Sequence, residues 1–278
     1  MLKKICFTVF VLIFILCGCS APKTLGFDIP RGVDSFDPQL AGSDPELIIV
    51  ENCFQGLLDT DQEGHIIAGA AKTWSVSEDG LIYTFEIREG LLWSDGETPV
   101  TADDFPFAFQ RLFAPETAAP SRSDYFNIVN AQEVSSGQYQ SSMLGVKTVG
   151  THTLIITLQS PDPLFPDLLT NAAAMPCNRE FFESTKGRYG LGLSYTMFNG
   201  AYYVRRINNY SYVLSPNEYS EIANFEYENV YLFVKDDPSA DAVERLLNET
   251  VDASVLNPDD REALVDKGFN ILESENTT

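Results

Sequence analysis

The sequence predicts a mixed α/β fold, and three observations predict it. Segments whose apolar residues recur at three and four positions alternate with segments in which every second residue is apolar. Turn-forming pairs such as Asp79-Gly80 and Asn208-Asn209 stand between them. Nineteen Phe and twelve Tyr give a core of real size, so the composition is that of a folded chain except at its ends.

The first residues stand outside the fold. Lys3 and Lys4 precede an apolar run over residues 5–16, broken by Thr8. A spanning helix needs roughly twenty such residues, and this run is shorter. Leu16-Cys17-Gly18-Cys19-Ser20 closes it, so residues 1–18 read as a secretory signal and 19–24 as a tether. Of the five cysteines, Cys6 and Cys17 leave with the signal. Cys53 and Cys177 remain; an oxidising compartment allows them to pair, but isolated cysteines are more often small buried apolar residues.

The elements follow in order. Phe36-Asp37-Pro38 is a turn. Residues 45–58 carry Leu47, Val50, Cys53/Phe54 and Leu57/Leu58 at helical spacing. Residues 58–66 read as strand, polar turn, strand. Residues 74–76 and 81–88 flank Ser77-Glu78-Asp79-Gly80 as a hairpin, because Asp-Gly tolerates positive φ. Tyr83, Phe85 and Ile87 alternate with Thr84, Glu86 and Arg88, a strand with one wet face. Residues 91–93 are a brief buried strand between turns at Gly90 and Gly96.

Thr101 is then the expected cap of a helix, its hydroxyl accepting an orphan N–H, with Asp104 at capping-box spacing. Asp103 and Asp104 meet the positive end of that helix dipole. Phe105, Ala108, Phe109 and Leu112 form its buried stripe, and Pro106 removes one backbone bond past the first turn. Residues 152–158 form a strand, and Pro161, Pro163 and Pro166 a loop into 165–169. Residues 186–200 are a Gly-rich crossing segment. Residues 201–206 and 211–214 are paired strands, 230–234 and 252–255 further strands, and 239–247 and 258–267 helices.

Composition excludes some functions. Eighteen basic against forty acidic residues give a net charge of −22, with no basic cluster to neutralise phosphates, so no nucleic-acid partner is expected. His65 and His152 are the two histidines and lie far apart. Gly190-x-Gly192 neither follows a strand nor opens a helix, so it is no phosphate cradle. No Gly-x-Ser-x-Gly occurs. Asp61-x-Glu63-Gly64 lacks the rest of a calcium loop. The expectation is binding rather than catalysis, with no metal and no cofactor.

One long pattern carries a resemblance. Ala71-x-x-Trp74-x-Val76-Ser77-x-Asp79-Gly80-x-x-Tyr83-Thr84-Phe85-x-Ile87-Arg88-x-Gly90-x-x-Trp93-Ser94-Asp95-Gly96-x-x-Pro99-Val100-Thr101-Ala102-x-Asp104-Phe105 resembles the signature of bacterial extracellular solute-binding proteins of family five. Phe36-Asp37-Pro38-Gln39, Phe54-Gln55-Gly56-Leu57-Leu58, and Asn199-Gly200-Ala201-Tyr202 with Leu214-Ser215-Pro216-Asn217-x-Tyr219 resemble further pieces in the same order. Leu16-x-Gly18-Cys19 resembles a bacterial lipobox, which implies a diacylglyceryl thioether on Cys19.

The resemblance implies a periplasmic-binding-protein type II-like fold. Residues 25–53 and 186–278 would form lobe I and 54–185 a smaller subdomain, with the second ligand lobe missing. It implies a lipid-anchored, extracytoplasmic receptor that gives oligopeptide to the permease and ATPase of an ABC importer and carries no catalytic group. It implies contact with peptide backbone at Gly42, Ser43 and Asp44, and further contacts at Ser121, Tyr125 and Asn199. Family members often have an aromatic residue after the Pro matching Pro120, where this chain has Ser121. A second reading is a receptor-like surface scaffold that binds a partner and no transport ligand.

Overall fold

Three sheets organise the described residues. A computed structural model describes residues 23–61, 63–208, 211–220, 225, 227–234, 242–254, 264, 265 and 267. In chain order the elements are β1 (Thr24–Ile29), α1 (Asp44–Cys53), β2 (Leu58–Thr60), β3 (Ile66–Ala68), β4 (Ala71–Val76), β5 (Ile82–Ile87), α2 (Asp104–Phe113), α3 (Ala131–Ser135) and β6 (Val146–Val149). They continue with β7 (Thr153–Thr157), α4 (Phe165–Leu168), α5 (Arg179–Ser184), β8 (Tyr202–Asn208), β9 (Ser211–Pro216), β10 (Asn229–Val234), α6 (Ala242–Leu247) and β11 (Ala253–Ser254).

The largest sheet has the order β11-β1-β10-β9-β8. β1 runs parallel to β10 and β11, while β9 and β8 are antiparallel to their neighbours. Its strands come from both ends of the described chain. The four-stranded sheet β4-β5-β7-β6 is antiparallel and built wholly from residues 71–157. The alternation read in the sequence is realised there: Tyr83, Phe85 and Ile87 on β5 are buried. β2 and β3 form a separate hairpin. One apolar cluster runs from Ile29 and Val50 through Phe85 and Phe105 to Leu214, so the sheets share a core.

Three expectations need correction. The helix read over 45–58 ends at Cys53, although Phe54, Leu57 and Leu58 stay buried. Periodicity continues because those residues enter the core in an extended conformation. Their backbone is satisfied elsewhere: Gln55 pairs with Asn199, and Gly69 and Ala71 donate to Leu57 O. The segment 91–93 makes one bridge, Leu92 to Pro99, rather than a strand. Helix α2 starts at Asp104, three residues after Thr101, which puts Pro106 in the first turn. A missing N–H there costs nothing, because first-turn donors lack helical partners in any case. The 258–267 helix falls mostly outside the described residues, as do the signal, Cys19 and Asn209.

Candidate functional site

The turn before α1 is fixed from beneath by one buried guanidinium. Helix α2 is apolar nearly all round, and Arg111 is its one cation, 7% exposed. Arg111 Nη1 donates to Asp37 Oδ1 at 3.1 Å, and Arg111 also bonds Asp37 Oδ2 and Gln39 Oε1. Gln39 Nε2 donates onward to Met175 O at 3.0 Å and Ala173 O at 3.3 Å. The guanidinium lies over the rings of Phe182 and Tyr189, 4.3 and 4.9 Å from their centroids. Burial works against the charge of Arg111, but Asp37 outweighs it and the guanidinium stays protonated.

Gly190 explains the Gly-rich crossing segment. Its φ is +78°, and a Cβ there would stand 2.5 Å from Ser35 Oγ and 2.7 Å from Asp37 N. Its carbonyl accepts Phe36 N at 2.8 Å. Only glycine lets the two backbones approach this closely.

That anchored turn delivers the residues expected to meet a ligand backbone. Ser43 is the N-cap of α1, extended at φ −113°, ψ 150°. Glu46, one turn on, accepts from Gly42 N (3.2 Å), Ser43 N (3.1 Å) and Ser43 Oγ (2.8 Å). Burial pushes the Glu46 carboxyl up, yet these bonds and the charge of Arg31 hold it below its ordinary value. So the donors of Gly42 and Ser43 are occupied, and the Ser43 carbonyl accepts Leu47 N. The Gly42 carbonyl and the Asp44 N–H keep no partner among the described residues.

The other expected contacts divide. Pro120 packs on Gly42, with Cγ 3.4 Å from where a Cβ would be, so half-buried Ser121 lies beside the anchored turn. Tyr125 is 1% exposed, its ring stands edge-on to Phe109, and its hydroxyl donates to Leu168 O at 2.7 Å, so it packs in the core. Asn199 is also inside. It pairs with both backbone groups of Gln55 (3.1 and 3.0 Å), like a strand neighbour, and Gly200 N donates to Cys53 O. Asn199 therefore fixes the backbone of the extended run at Gln55.

Beside that run is a cleft of about 250 Å³, which the sequence did not reveal. Glu51 from the last turn of α1, Gln55, Asp59 and Thr60 line one side, and Thr170 and Asn171 the other. Phe54, Leu58 and Met175 also contribute to it. The signal available was Glu51 itself, an acid on a helix flank followed by a second acid at the start of β2. A larger open groove of about 660 Å³ lies by Lys72, Glu86, Arg88, Glu89 and His152, where opposite charges mix.

Other features have structural explanations. Asp104 is buried and its carboxylate accepts Thr101 N at 2.8 Å; the residue at the N-cap of α2 is Asp103, so the Thr101 hydroxyl does not cap the helix. Burial raises the Asp104 carboxyl to about 6, while the bonds from Thr101, Trp93 and Asn178 oppose that rise. The indole N–H of Trp93 nonetheless lacks a well-aligned acceptor. Asp103 stays exposed and accepts from Thr148 Oγ1 at 2.7 Å. Cys53 and Cys177 are free and buried; burial pushes the Cys177 thiol up to about 12 against the opposing charge of Arg111. Asp61, Glu63 and His65 bring ligand atoms within 4.8 Å of one another. Asp61 Oδ1 there accepts the Glu63 and His65 N–H groups, which closes the β2–β3 turn. No helix among the described residues is long and apolar enough to cross a membrane.

Comparisons with known proteins agree with this architecture. Residues 65–277 match the family model described as bacterial extracellular solute-binding proteins, family 5 Middle. The chain is 37% identical over 186 residues to the periplasmic murein peptide-binding protein MppA of Escherichia coli, covering 66% of this chain and 34% of that protein. It is 36% identical over 188 residues to the periplasmic oligopeptide-binding protein OppA of Salmonella typhimurium, with the same shares. Among solved structures, the substrate-binding domain of an oligopeptide ABC transporter from Bacillus anthracis superposes with a TM-score of 0.84 at 27% identity. That match covers 90% of this chain and 48% of that one. The MppA structure gives a TM-score of 0.81 at 31% identity, over 90% and 49%. The chain thus spans about a third of those relatives in sequence alignment and about half of those structures. With most of its length matched by the family model and its described fold superposing on these receptors, this chain belongs to the bacterial extracellular solute-binding proteins, family 5.

Proposed function

We propose that the chain is a lipid-anchored, extracytoplasmic substrate-binding component of a peptide-type ABC importer, and that it supplies one wall of the ligand cleft. The observation that carries this reading is the superposition of 90% of the chain on an oligopeptide transporter's substrate-binding domain. The local geometry suits it. A receptor for many peptides recognises backbone, and the turn pinned by Arg111 presents the Gly42 carbonyl and the Asp44 N–H, one acceptor and one donor, beside Ser121. Pre-positioning those groups lowers the ordering cost of binding. In this reading the chain binds its ligand and does no chemistry on it.

In this reading the second wall comes from a lobe equivalent to the half of the relatives' structures that this chain does not span. The two lobes close on the ligand by hinge motion. Lipid on Cys19 holds the receptor at the membrane beside its permease. Isothermal titration with a mixed peptide library, first on this chain alone and then with the complementary half of a relative added, tests it. Binding is expected only with both halves present. Tight saturable binding by the chain alone would contradict the two-wall reading.

A further inference from the structure

We infer that Glu46 is a specificity-determining residue: it closes the start of α1 to anions, so that a ligand meets the turn at Gly42 to Asp44 through an N–H donor and not through a carboxylate. This deepens the binding reading above and rests on it only for calling the ligand a peptide. The exclusion of anions stands on the turn itself.

The open end of a ten-residue helix attracts anions when its first N–H groups lack partners, because the helix dipole is positive there. Here those donors are largely spent. One carboxylate oxygen of Glu46, a residue 9% exposed, accepts Gly42 N at 3.2 Å, Ser43 N at 3.1 Å and Ser43 Oγ at 2.8 Å. Leu47 N donates to Ser43 O at 3.0 Å, and Pro45 has no N–H to offer. The Asp44 N–H stays open, but the Asp44 side chain brings a second acid to the same first turn. Arg31 acts on Glu46 from nearby, yet Asp34 pairs with its guanidinium at 3.3 Å. An arriving anion finds one donor and two like charges.

The outer edge of the turn asks for a donor. Ser43 is extended at φ −113°, ψ 150°, so its own N–H and C=O point one way while the Gly42 carbonyl and the Asp44 N–H point the other. Glu46 and Leu47 occupy the first pair. The second pair is one acceptor and one donor on exposed residues. An amide in an extended chain satisfies both. A carboxylate satisfies the donor alone and sets its lone pairs against those of the Gly42 carbonyl.

Sodium sulfate, titrated into the full chain against sodium chloride at equal ionic strength, tests the exclusion through the backbone amide shifts of Gly42, Ser43 and Asp44. The parent should show no saturable shift. Glu46→Ala frees two N–H groups and removes the charge, and should give saturable shifts at least about five-fold larger than the parent's at equal sulfate. Glu46→Gln keeps an oxygen for those N–H groups without the charge, and should fall between. Glu180→Gln removes an exposed charge elsewhere and should behave as the parent. Saturable sulfate shifts in the parent, or silence in both Glu46 variants, overturn the inference.

Trialanine, added with the complementary half of a relative, separates this inference from the transport reading. Its binding should move the Gly42 carbonyl carbon resonance, as an N–H donated to that oxygen does. Binding that leaves this resonance still overturns the inference as well. If sulfate stays out of the parent and enters Glu46→Ala while trialanine does not bind, the exclusion stands and the peptide reading falls. If trialanine binds and sulfate saturates the parent turn, the peptide reading stands and the exclusion falls.

Discussion

At the scale of single residues, Asp104 shows what burial does to an acid. Asp104 is 5% exposed, and its carboxyl titrates near 6 instead of 3.8. Its folded value lies above the unfolded one, so the folded chain holds the proton more tightly than the unfolded chain. Stability from this group therefore grows as pH falls from about 6 towards 4, and above 6 the fold carries a buried carboxylate. The shift corresponds to at most about 3 kcal/mol. Asn mimics the protonated form and still accepts from Thr101 N. In urea unfolding, Asp104→Asn should be more stable than the parent at pH 7.5, with the advantage shrinking towards pH 4. A difference that does not change with pH would refute this assignment. The sequence placed Asp104 correctly at a helix start, as a partner of the helix dipole, but did not show that it is buried. Capping-box spacing reports position along the chain and says nothing of which core the first turn is pressed into.

At the scale of elements, period-two patterns were the most legible feature. β5 and β7 alternate closely between buried and more exposed positions, and the strands read over 201–206 and 211–214 pair as β8 and β9. Illegible was the contact that sets the site, because Arg111 and Asp37 lie 74 positions apart and no local pattern joins them. A clue did exist. The segment Phe105-Pro106-Phe107-Ala108-Phe109-Gln110-Arg111-Leu112-Phe113 is apolar on every side, and a charge in such a helix must find a buried partner. The same reasoning gives a test. Arg111→Met leaves Asp37 buried and unpaired, and should cost about 3–5 kcal/mol in unfolding free energy. Asp37→Asn in that background should recover a substantial part, because the stranded charge is gone. Additive effects of the two changes would show that the pair is not the clamp of this turn. The cleft was equally hidden: its two sides come from residues 51–60 and 170–175, and the extended run after Cys53 that opens it looked like more helix.

At the scale of the whole molecule, charge bears on the proposed attachment to a membrane. Forty acidic and eighteen basic residues give −22, so an anionic lipid surface repels the chain at long range. No helix among the described residues spans a bilayer. In the proposed reading the lipid on Cys19 makes the attachment, and its two acyl chains are the number that stable anchoring needs. Apolar insertion does not weaken with salt, whereas electrostatic adsorption does. The parent chain should therefore remain with the membrane fraction in about 1 M salt, where the screening length is only about 3 Å. Cys19→Ser should leave the membrane fraction entirely, at low and high salt alike, with its fold intact by circular dichroism. Salt washing the parent chain off, or the Cys19→Ser chain staying on, would mean that a protein surface holds it there. The anchor reading would then give way to docking on a membrane partner.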